Sequence, residues 1–358
     1  MTSFWQKIKR HGTSIAFVLG FIWDNIMLTR VDHLFANVML GSYLGLSAIS
    51  IVAMNIPTGT GWHMRIIEKT ARWLPFILQF CFGSLFSAYL VLYTRSASLA
   101  TNWPFLFLLV VLTVSNELFR KKYASITLPL SVFFIVLFSY ITFSLPTFLG
   151  SMGSEIFIVS GFVSLFVMII FSRLISLVSK EKFKASRLSL AVSIVLIYIL
   201  FNVAYFTNII PPIPLALKEI GVYHSVTRFQ NGVYALRFEP GWWYPFTSAT
   251  ADVFNRKNNE PVYVWSAIFA PTKLTVPVFH RWQYYEESRH EWITTDLIQF
   301  PIVGGRDGGY RGYSMKAGVF PARWRVDVET IQKKLIGRVE FIIKNISITQ
   351  PNLVIETR

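Results

Sequence analysis

Long stretches without a charged side chain dominate the first 217 residues of this chain. No Asp, Glu, Lys or Arg occurs in 33–64, 73–94, 96–116, 123–154, 156–172 or 188–217. A helix needs about 20 mainly apolar residues to cross a hydrocarbon core roughly 30 Å thick. The stretches therefore predict membrane-spanning helices near 34–54, 74–94, 102–119, 126–149, 154–178 and 188–207. A seventh span is predicted near 12–28, which is shorter than the others and contains Asp24.

Charge is divided unequally along the chain. Residues 1–210 hold 16 Lys and Arg but 6 Asp and Glu, whereas residues 211–358 hold 18 and 13. An overall charged fraction of 15% excludes a soluble globular enzyme and a disordered chain, because both need more charge. The net charge of +15 does not indicate a nucleic-acid partner, since the N-terminal cations form separate clusters between apolar runs. One cysteine, Cys81, excludes a disulfide framework and a multi-cysteine metal site, and no cofactor is expected.

Lysines and arginines favour alternate loops between the predicted spans. Thirteen cations lie before the first span and after the second, fourth and sixth, whereas the other loops hold only Arg30 and Arg95. Because such residues stay preferentially on the cytoplasmic side, the N-terminus is predicted inside and everything after Phe206 outside. If the segment near 12–28 does not cross, only the N-terminus changes sides.

The sequence pattern changes after residue 210, from long apolar stretches to short runs in which apolar and polar residues alternate. Three prolines between residues 211 and 214 end the last predicted helix and begin a stalk predicted over 211–230, because proline removes a backbone donor and fixes φ. In RWRVDVE, the apolar residues Trp324, Val326 and Val328 alternate with charged ones, which predicts a half-buried strand.

Similar short runs, separated by turn residues and without helices between them, continue to the end of the chain. They predict an antiparallel β-sandwich over 231–358, immunoglobulin-like or carbohydrate-binding-like. The expected fold class is therefore a membrane α-helical bundle of about seven transmembrane helices over 1–210, followed by an all-β extracytoplasmic sandwich.

Several segments carry a family resemblance. They are GFIWDNIMLTRVDHL (20–34), QFCFGSLFSAYLVLYTRSASLATNWPF (79–105), NELFRKKY (116–123), VWSAIFAP, HRWQYY, GGRDGGYRGYSMK and WRVDVET. The chain resembles, over most of 15–343, a family of uncharacterised bacterial multi-pass membrane proteins that carry a C-terminal domain of unknown function, number 2914 in that series. The resemblance implies a bacterial envelope protein and brings no established activity. Together with the loop charges, it predicts a protein of the bacterial cytoplasmic (inner) membrane with a periplasmic C-terminal domain.

Polar residues in the predicted spans form a first candidate site. Asp24 and Asn25 lie in the first span, and Asn116 and Glu117 lie near the cytoplasmic end of the fourth. Ionisable groups in a membrane need a partner or water, so Asp24 or Glu117 could bind a proton or cation in a transporter or channel. The alternative is that both carboxylates pair with cations close by in sequence at helix ends.

The segment FHRWQYYEESRHEWITTD (279–296) forms a second candidate site. Flat rings beside hydrogen-bonding side chains suit a saccharide or an aromatic peptide anchor. The candidate ligand-binding residues here are His280, Arg281, Trp282, Tyr284 and Trp292, whereas Trp265 and Trp324 are assigned to the core. An acid–base pair or metal site in the region from His280 to Asp296, formed by His280 and His290 with Glu286, Glu287 and Asp296, would instead indicate an envelope-modifying enzyme. The spacing matches no standard zinc signature, so no catalytic residue or metal ligand is assigned.

The glycine-rich run 304–313 forms a third candidate site. Its Arg306 and Arg311 could bind a carboxylate or phosphate in a bidentate contact, or could be solvated arginines in a plain hairpin loop. The favoured function is a non-catalytic one, in which the helices hold a β domain that binds an envelope glycan, a lipid headgroup or a partner protein. Membrane lipids are expected partners, and the sequence gives no oligomeric state.

Overall fold

The computed structural model describes residues 34–56, 73–96, 107, 109–111, 126–210, 215–230, 232–241, 250–257, 259–270, 275–303, 309–346 and 352–358. Contacts divide the chain into two compact units, one helical and one all-β, with the division near residues 213 and 214. The helical N-terminal region and the all-β C-terminal region therefore agree with the sequence.

Five long helices occur in the described part of the first unit. They are α1 (Leu34–Asn55), α2 (Leu74–Ser96), α3 (Thr127–Leu149), α4 (Ser154–Val178) and α5 (Lys180–Phe206). All five are long and apolar enough to cross a membrane. The predicted total of about seven spans is not confirmed. The span near 12–28 and nearly all of the span near 102–119 lie outside the described residues, together with Asp24, Asn25, Asn116 and Glu117.

Helix α3 packs against α1, α4 and α5. Phe138 of α3 stacks on Phe201 of α5 with 4.7 Å between the ring centroids, and Tyr89 of α2 donates its hydroxyl hydrogen to the Val136 carbonyl of α3 at 2.8 Å. Gly161 of α4 permits α4 and α5 to approach closely, because a Cβ at this position would lie 2.9 Å from the ring of Tyr198 in α5. Small residues and interhelical hydrogen bonds hold helices together where lipid offers no hydrophobic driving force.

The second unit consists of strands. They are β1 (Ala216–Tyr223), β2 (Ser225–Arg228), β3 (Tyr234–Phe238), β4 (Val253–Arg256), β5 (Val262–Phe269), β6 (Thr275–Glu286), β7 (Glu291–Val303), β8 (Tyr310–Lys316), β9 (Arg323–Thr330), β10 (Leu335–Asn345) and β11 (Val354–Thr357). The strands form a central sheet in the order β1-β5-β8, a large sheet in the order β4-β10-β9-β6-β7 and a small sheet in the order β11-β3-β2. Neighbours pair antiparallel except for β10 and β4, which are parallel.

The central sheet contributes alternate residues to two cores. Val222 and Val264 pack with residues of the large sheet, including Trp282 and Trp324. On the opposite face, Trp265 packs with residues of the small sheet. The domain therefore has three layers instead of the two of a simple sandwich, because β5 (VYVWSAIF) is apolar on both of its faces, a pattern typical of a strand covered on both sides.

Strands β1 and β2 lie inside the segment predicted as a stalk, 211–230. The prediction differed there because the prolines were taken to set the character of the whole segment, whereas β1 pairs with β5 from Ala216 to Tyr223. The β domain therefore begins about 15 residues earlier than predicted.

Candidate ligand-binding surface of the β domain

The residues of β6 that the sequence singled out point in opposite directions. Successive side chains of a strand lie on opposite faces of its sheet. His280 and Trp282 face the core, whereas Arg281 lies on the outer face of the large sheet, where it bonds Glu329 of the neighbouring strand β9. The structure therefore does not bring these three residues together in one site.

His280 is a buried link between two sheets. Its side chain is fully buried, and its ring nitrogens Nε2 and Nδ1 lie 2.9 Å from Ser266 Oγ and 2.8 Å from Ser314 Oγ. Burial lowers the pKa of His280 to about 3, so the ring is neutral at physiological pH. This differs from the expected role in ligand binding, and it takes His280 out of the acid–base alternative.

Trp282 is also a core residue. It is fully buried, its Nε1–H donates to Ser314 Oγ at 2.9 Å, and its ring lies edge-on to that of Trp324. The expected exposed platform at Trp282 is therefore corrected, because no face of the ring is open to a ligand. Trp265 and Trp324 lie in the core as the alternation predicted.

The remaining predicted residues are spread over the domain. Tyr284 is half-buried and lies 5.7 Å from Trp324 between ring centroids. Arg311 lies on β8 of the central sheet, not on the large sheet, and Arg306 lies outside the described residues. A hydrogen bond from Lys316 lowers the pKa of Asp296. Within the described ranges, no group of three or more His, Cys, Asp or Glu is placed to hold a metal.

The outer face of the large sheet presents an arginine–tryptophan cluster, which we define as Gln283, Tyr285, Trp292, Arg323 and Arg325. Strand register places Tyr285 opposite Trp292 and Gln283 opposite Arg325. The guanidinium carbon of Arg325 lies 4.3 Å from the centroid of the Trp292 ring, and that of Arg323 lies 5.4 Å away. Such contacts are attractive because the ring face carries negative charge density. One tryptophan therefore orients two cations.

Three arginines on this outer face have carboxylate partners. Arg281 Nε donates to Glu329 at 3.0 Å, Arg338 Nη2 donates to Asp327 at 2.9 Å, and Arg323 Nη2 donates to Glu340 at 2.8 Å. These pairs explain why Asp327 and Glu329 are buried, since carboxylates are rarely buried unless paired. The outer face of β9 is thus an ordered ladder of charges.

Arg325 differs from its neighbours in the ladder. Its Nε–H donates to Gln283 Oε1 at 2.8 Å, and no carboxylate of the described residues forms an ion pair with it. Burial, and then the nearby charge of Arg338, lower its pKa, although an arginine remains charged in any case. The terminal amino groups of its guanidinium therefore form no hydrogen bond or ion pair with the residues that the structure describes.

One polar cluster was not predicted. His224 lies with Nε2 at 3.0 Å from Glu239 Oε1 and Nδ1 at 2.9 Å from Glu260 Oε1. Although burial raises the pKa of Glu239, hydrogen bonds from His224 and Asn255 lower it overall. The cluster joins the corner after β1 to the ends of neighbouring strands. Residues 15 and 36 positions apart in sequence offer no short motif by which sequence reasoning could have found it.

Comparison with known proteins identifies one domain. A model of the family described as "Protein of unknown function (DUF2914)" matches residues 276–343, in the C-terminal part as the resemblance implied. The match spans the segment from β6 to β10 and so includes the whole arginine–tryptophan cluster. No curated protein matches the chain.

Among solved structures, the Pseudomonas fluorescens alkylpurine DNA glycosylase AlkC bound to DNA containing an abasic site analog is 10% identical, with 88% of this chain and 99% of that chain covered. Its TM-score of 0.22 is too low to indicate a common fold.

Proposed function

We propose that this chain, which carries a DUF2914 domain after a region of membrane-like helices, is a non-catalytic binding module held at a membrane. Its ligand is an envelope component with a carboxylate or phosphate group: a glycan, a lipid headgroup or a partner protein. The observation that carries the proposal is Arg325, a guanidinium stacked on Trp292 without a carboxylate partner among the described residues.

The cluster is suited to anion recognition. Because Gln283 fixes Nε and Trp292 supports the guanidinium plane, Arg325 can present its two amino groups as a fork that fits a carboxylate or phosphate. Such an arrangement is already ordered, so binding loses little side-chain entropy. Trp292 and Tyr285 add a flat apolar surface beside the anion site.

The same side chains favour binding over catalysis. Guanidinium, amide and aromatic groups orient a ligand by hydrogen bonds and contact, whereas hydrolysis or group transfer needs a nucleophile or a general base in reach. Of the two histidines of the segment, His280 is buried beneath the sheet, and His290 is exposed in the β6–β7 turn, where its Nδ1 lies 3.5 Å from the Tyr285 hydroxyl. The transporter alternative depended on Asp24 and Glu117, which lie outside the described residues.

Replacing Gln283 by glutamate tests the anion site. The new carboxylate would stand 2.8 Å from Arg325 Nε and would form the ion pair that the ladder lacks there. We expect Gln283→Glu to lower affinity for anions at least tenfold while the melting temperature is kept or raised. The measurement is fluorescence titration of the full-length protein in detergent with tetragalacturonate, glycerol phosphate and tetraglutamate, which represent a glycan, a headgroup and a protein.

Arg289→Gln is the matched control for this titration, because Arg289 lies in the β6–β7 turn and its side chain is 70% exposed. It should bind the probes as the unmodified protein does. Equal loss in both variants would indicate unspecific attraction between charges, and failure of the unmodified protein to bind any probe would contradict the anion site.

We propose a bacterial inner-membrane location with the N-terminus in the cytoplasm and the β domain in the periplasm. The apolar helices and the thirteen cations of alternate loops support this orientation, since cations remain on the cytoplasmic side. Alkaline phosphatase fused after Arg358 should be active, whereas the same enzyme fused after Lys182, in the first turn of α5, should be inactive. The reverse pattern would place the β domain in the cytoplasm and contradict the proposed envelope ligand.

A further inference from the structure

A cavity of about 630 Å³ lies between α4 and α5. The two helices are separated only by Ser179. They run antiparallel, because Phe157 near the start of α4 stacks on Tyr205 near the end of α5 with 3.8 Å between the ring centroids. The cavity extends along this hairpin from the turn to Leu165 and Ile194. At 1.5 Å per helical residue, that is a length of about 20 Å.

Cations line the end of the cavity near the turn. They are Arg173, Lys180, Lys184 and Arg187. All four are exposed, and none forms an ion pair with a residue that the structure describes. Glu181 is the one acidic residue between positions 156 and 206, and it does not line the cavity. Four like charges without a counter-ion attract an anion strongly.

Aliphatic side chains line the other end of the cavity. Leu165, Met168 and Ile169 come from α4, and Leu190, Ala191 and Ile194 come from α5. The neighbouring outward surface is also apolar, with Phe162, Phe166 and Leu196 exposed, as expected of helices that contact hydrocarbon. The cavity is therefore divided along its length into a cationic end and an apolar end.

We propose that this cavity binds an anionic phospholipid, with its phosphate among the four cations and an acyl chain along the aliphatic end. Basic pockets between membrane helices bind the head groups of anionic lipids, and the volume lies within the range of small-molecule sites. A free phosphate would use only the cationic end. The site belongs to the helical unit and does not depend on the anion site of the β domain.

Native mass spectrometry of the full-length protein in detergent tests the cationic end. Phosphatidylglycerol should be retained at least tenfold better than phosphatidylcholine with the same acyl chains. The double variant Lys184→Gln, Arg187→Gln should weaken phosphatidylglycerol binding about 25-fold, because each cation near an anionic lipid contributes roughly a factor of five. Lys182→Gln is the control, since Lys182 lies at the same end of α5 but does not line the cavity; it should bind as the unmodified protein does.

A second pair of variants tests the aliphatic end. Ala191→Trp fills the cavity from an exposed position and should abolish phosphatidylglycerol binding with all cations present. Leu188→Trp is its control, because Leu188 is 78% exposed and does not line the cavity.

Retained lipid binding in Ala191→Trp, with displacement by inorganic phosphate, would show a simple anion site and overturn the lipid assignment. Equal binding of phosphatidylcholine, or equal loss in Lys182→Gln, would also overturn it. Circular dichroism and size-exclusion chromatography establish that each variant is folded.

Discussion

Trp282→Ala is expected to lower the free energy of unfolding of the β domain by about 3–5 kcal/mol, the usual cost of deleting a fully buried tryptophan. The ring lies in the core between the large and central sheets, edge-on to Trp324 and Phe341. Its loss leaves a cavity and removes a hydrogen bond to Ser314. Because whole domains are stable by only about 5–15 kcal/mol, much of the protein should be unfolded at moderate urea concentrations.

Trp292→Ala is the matched comparison, since this tryptophan is only half-buried and lies on the outer face of the same sheet. We expect a loss of stability below about 1 kcal/mol, together with loss of anion binding because Arg325 loses its support. Pulse proteolysis of the full-length protein in a urea series measures the folded fraction of the β domain in both variants. Equal destabilisation would contradict the assignment of one tryptophan to the core and the other to the surface.

His280 is expected to make the β domain sensitive to acid. Its pKa is lowered to about 3 in the folded state by burial, whereas an unfolded chain has an ordinary histidine pKa near 6.5. Above pH 6.5, His280 is neutral in both the folded and the unfolded state, so its titration does not lower the free energy of unfolding. Between about pH 6.5 and 3 the unfolded chain binds a proton that the folded chain does not, so stability falls by about 1.4 kcal/mol per pH unit.

The variant His280→Gln isolates this contribution, because the amide keeps a polar group between Ser266 and Ser314 but does not titrate. Urea unfolding of the full-length protein, followed by tryptophan fluorescence from pH 7 to pH 4, gives the difference in stability between the two proteins. The carboxylates titrate in the unmodified protein and in the variant alike, so their contributions cancel in the difference between the two free energies of unfolding. We expect the advantage of the unmodified protein to shrink as the pH falls; a difference independent of pH would show that His280 can take up a proton in the folded domain.

The described helices were predicted closely from the sequence. The predicted span 154–178 matches α4 at both ends, and α1 to α3 differ from their predictions by at most two residues at either end. The reason is that a backbone in hydrocarbon must satisfy its own hydrogen bonds, so an apolar stretch of sufficient length has few alternatives to a helix. Helix α5 begins at Lys180, eight residues before the prediction, because lysine, glutamate and arginine are good helix formers outside the apolar stretch.

The faces of the strands were predicted less completely. Alternation correctly placed Trp324, Val326 and Val328 on the buried face of β9. It could not reveal that Asp327 and Glu329 are also buried, because their partners Arg338 and Arg281 lie 11 and 48 residues away. Such pairs depend on strand register, which one sequence does not specify.

The candidate site shows the same limit. The sequence analysis placed His280, Arg281 and Trp282 in one site, whereas successive residues of a strand lie on opposite faces. Because both faces of β6 carry aromatic residues, the pattern does not indicate which face is buried. Trp292 was named from the sequence, but its contact with Arg325 depends on the packing of β7 and β9 on either side of β6. The residue that carries the proposed function was therefore found only in the structure.

The order of strands in the small sheet has a consequence for biosynthesis. Strand β11 pairs with β3 from Val354 to Thr357, and β3 is made more than 100 residues earlier. Until the ribosome has added residues 354–357, one edge of β3 stays open and the core cluster that contains Trp265 lacks Val354. Contacts between such distant positions form slowly, so this layer closes late in folding, and until then the open edge of β3 can pair with another chain.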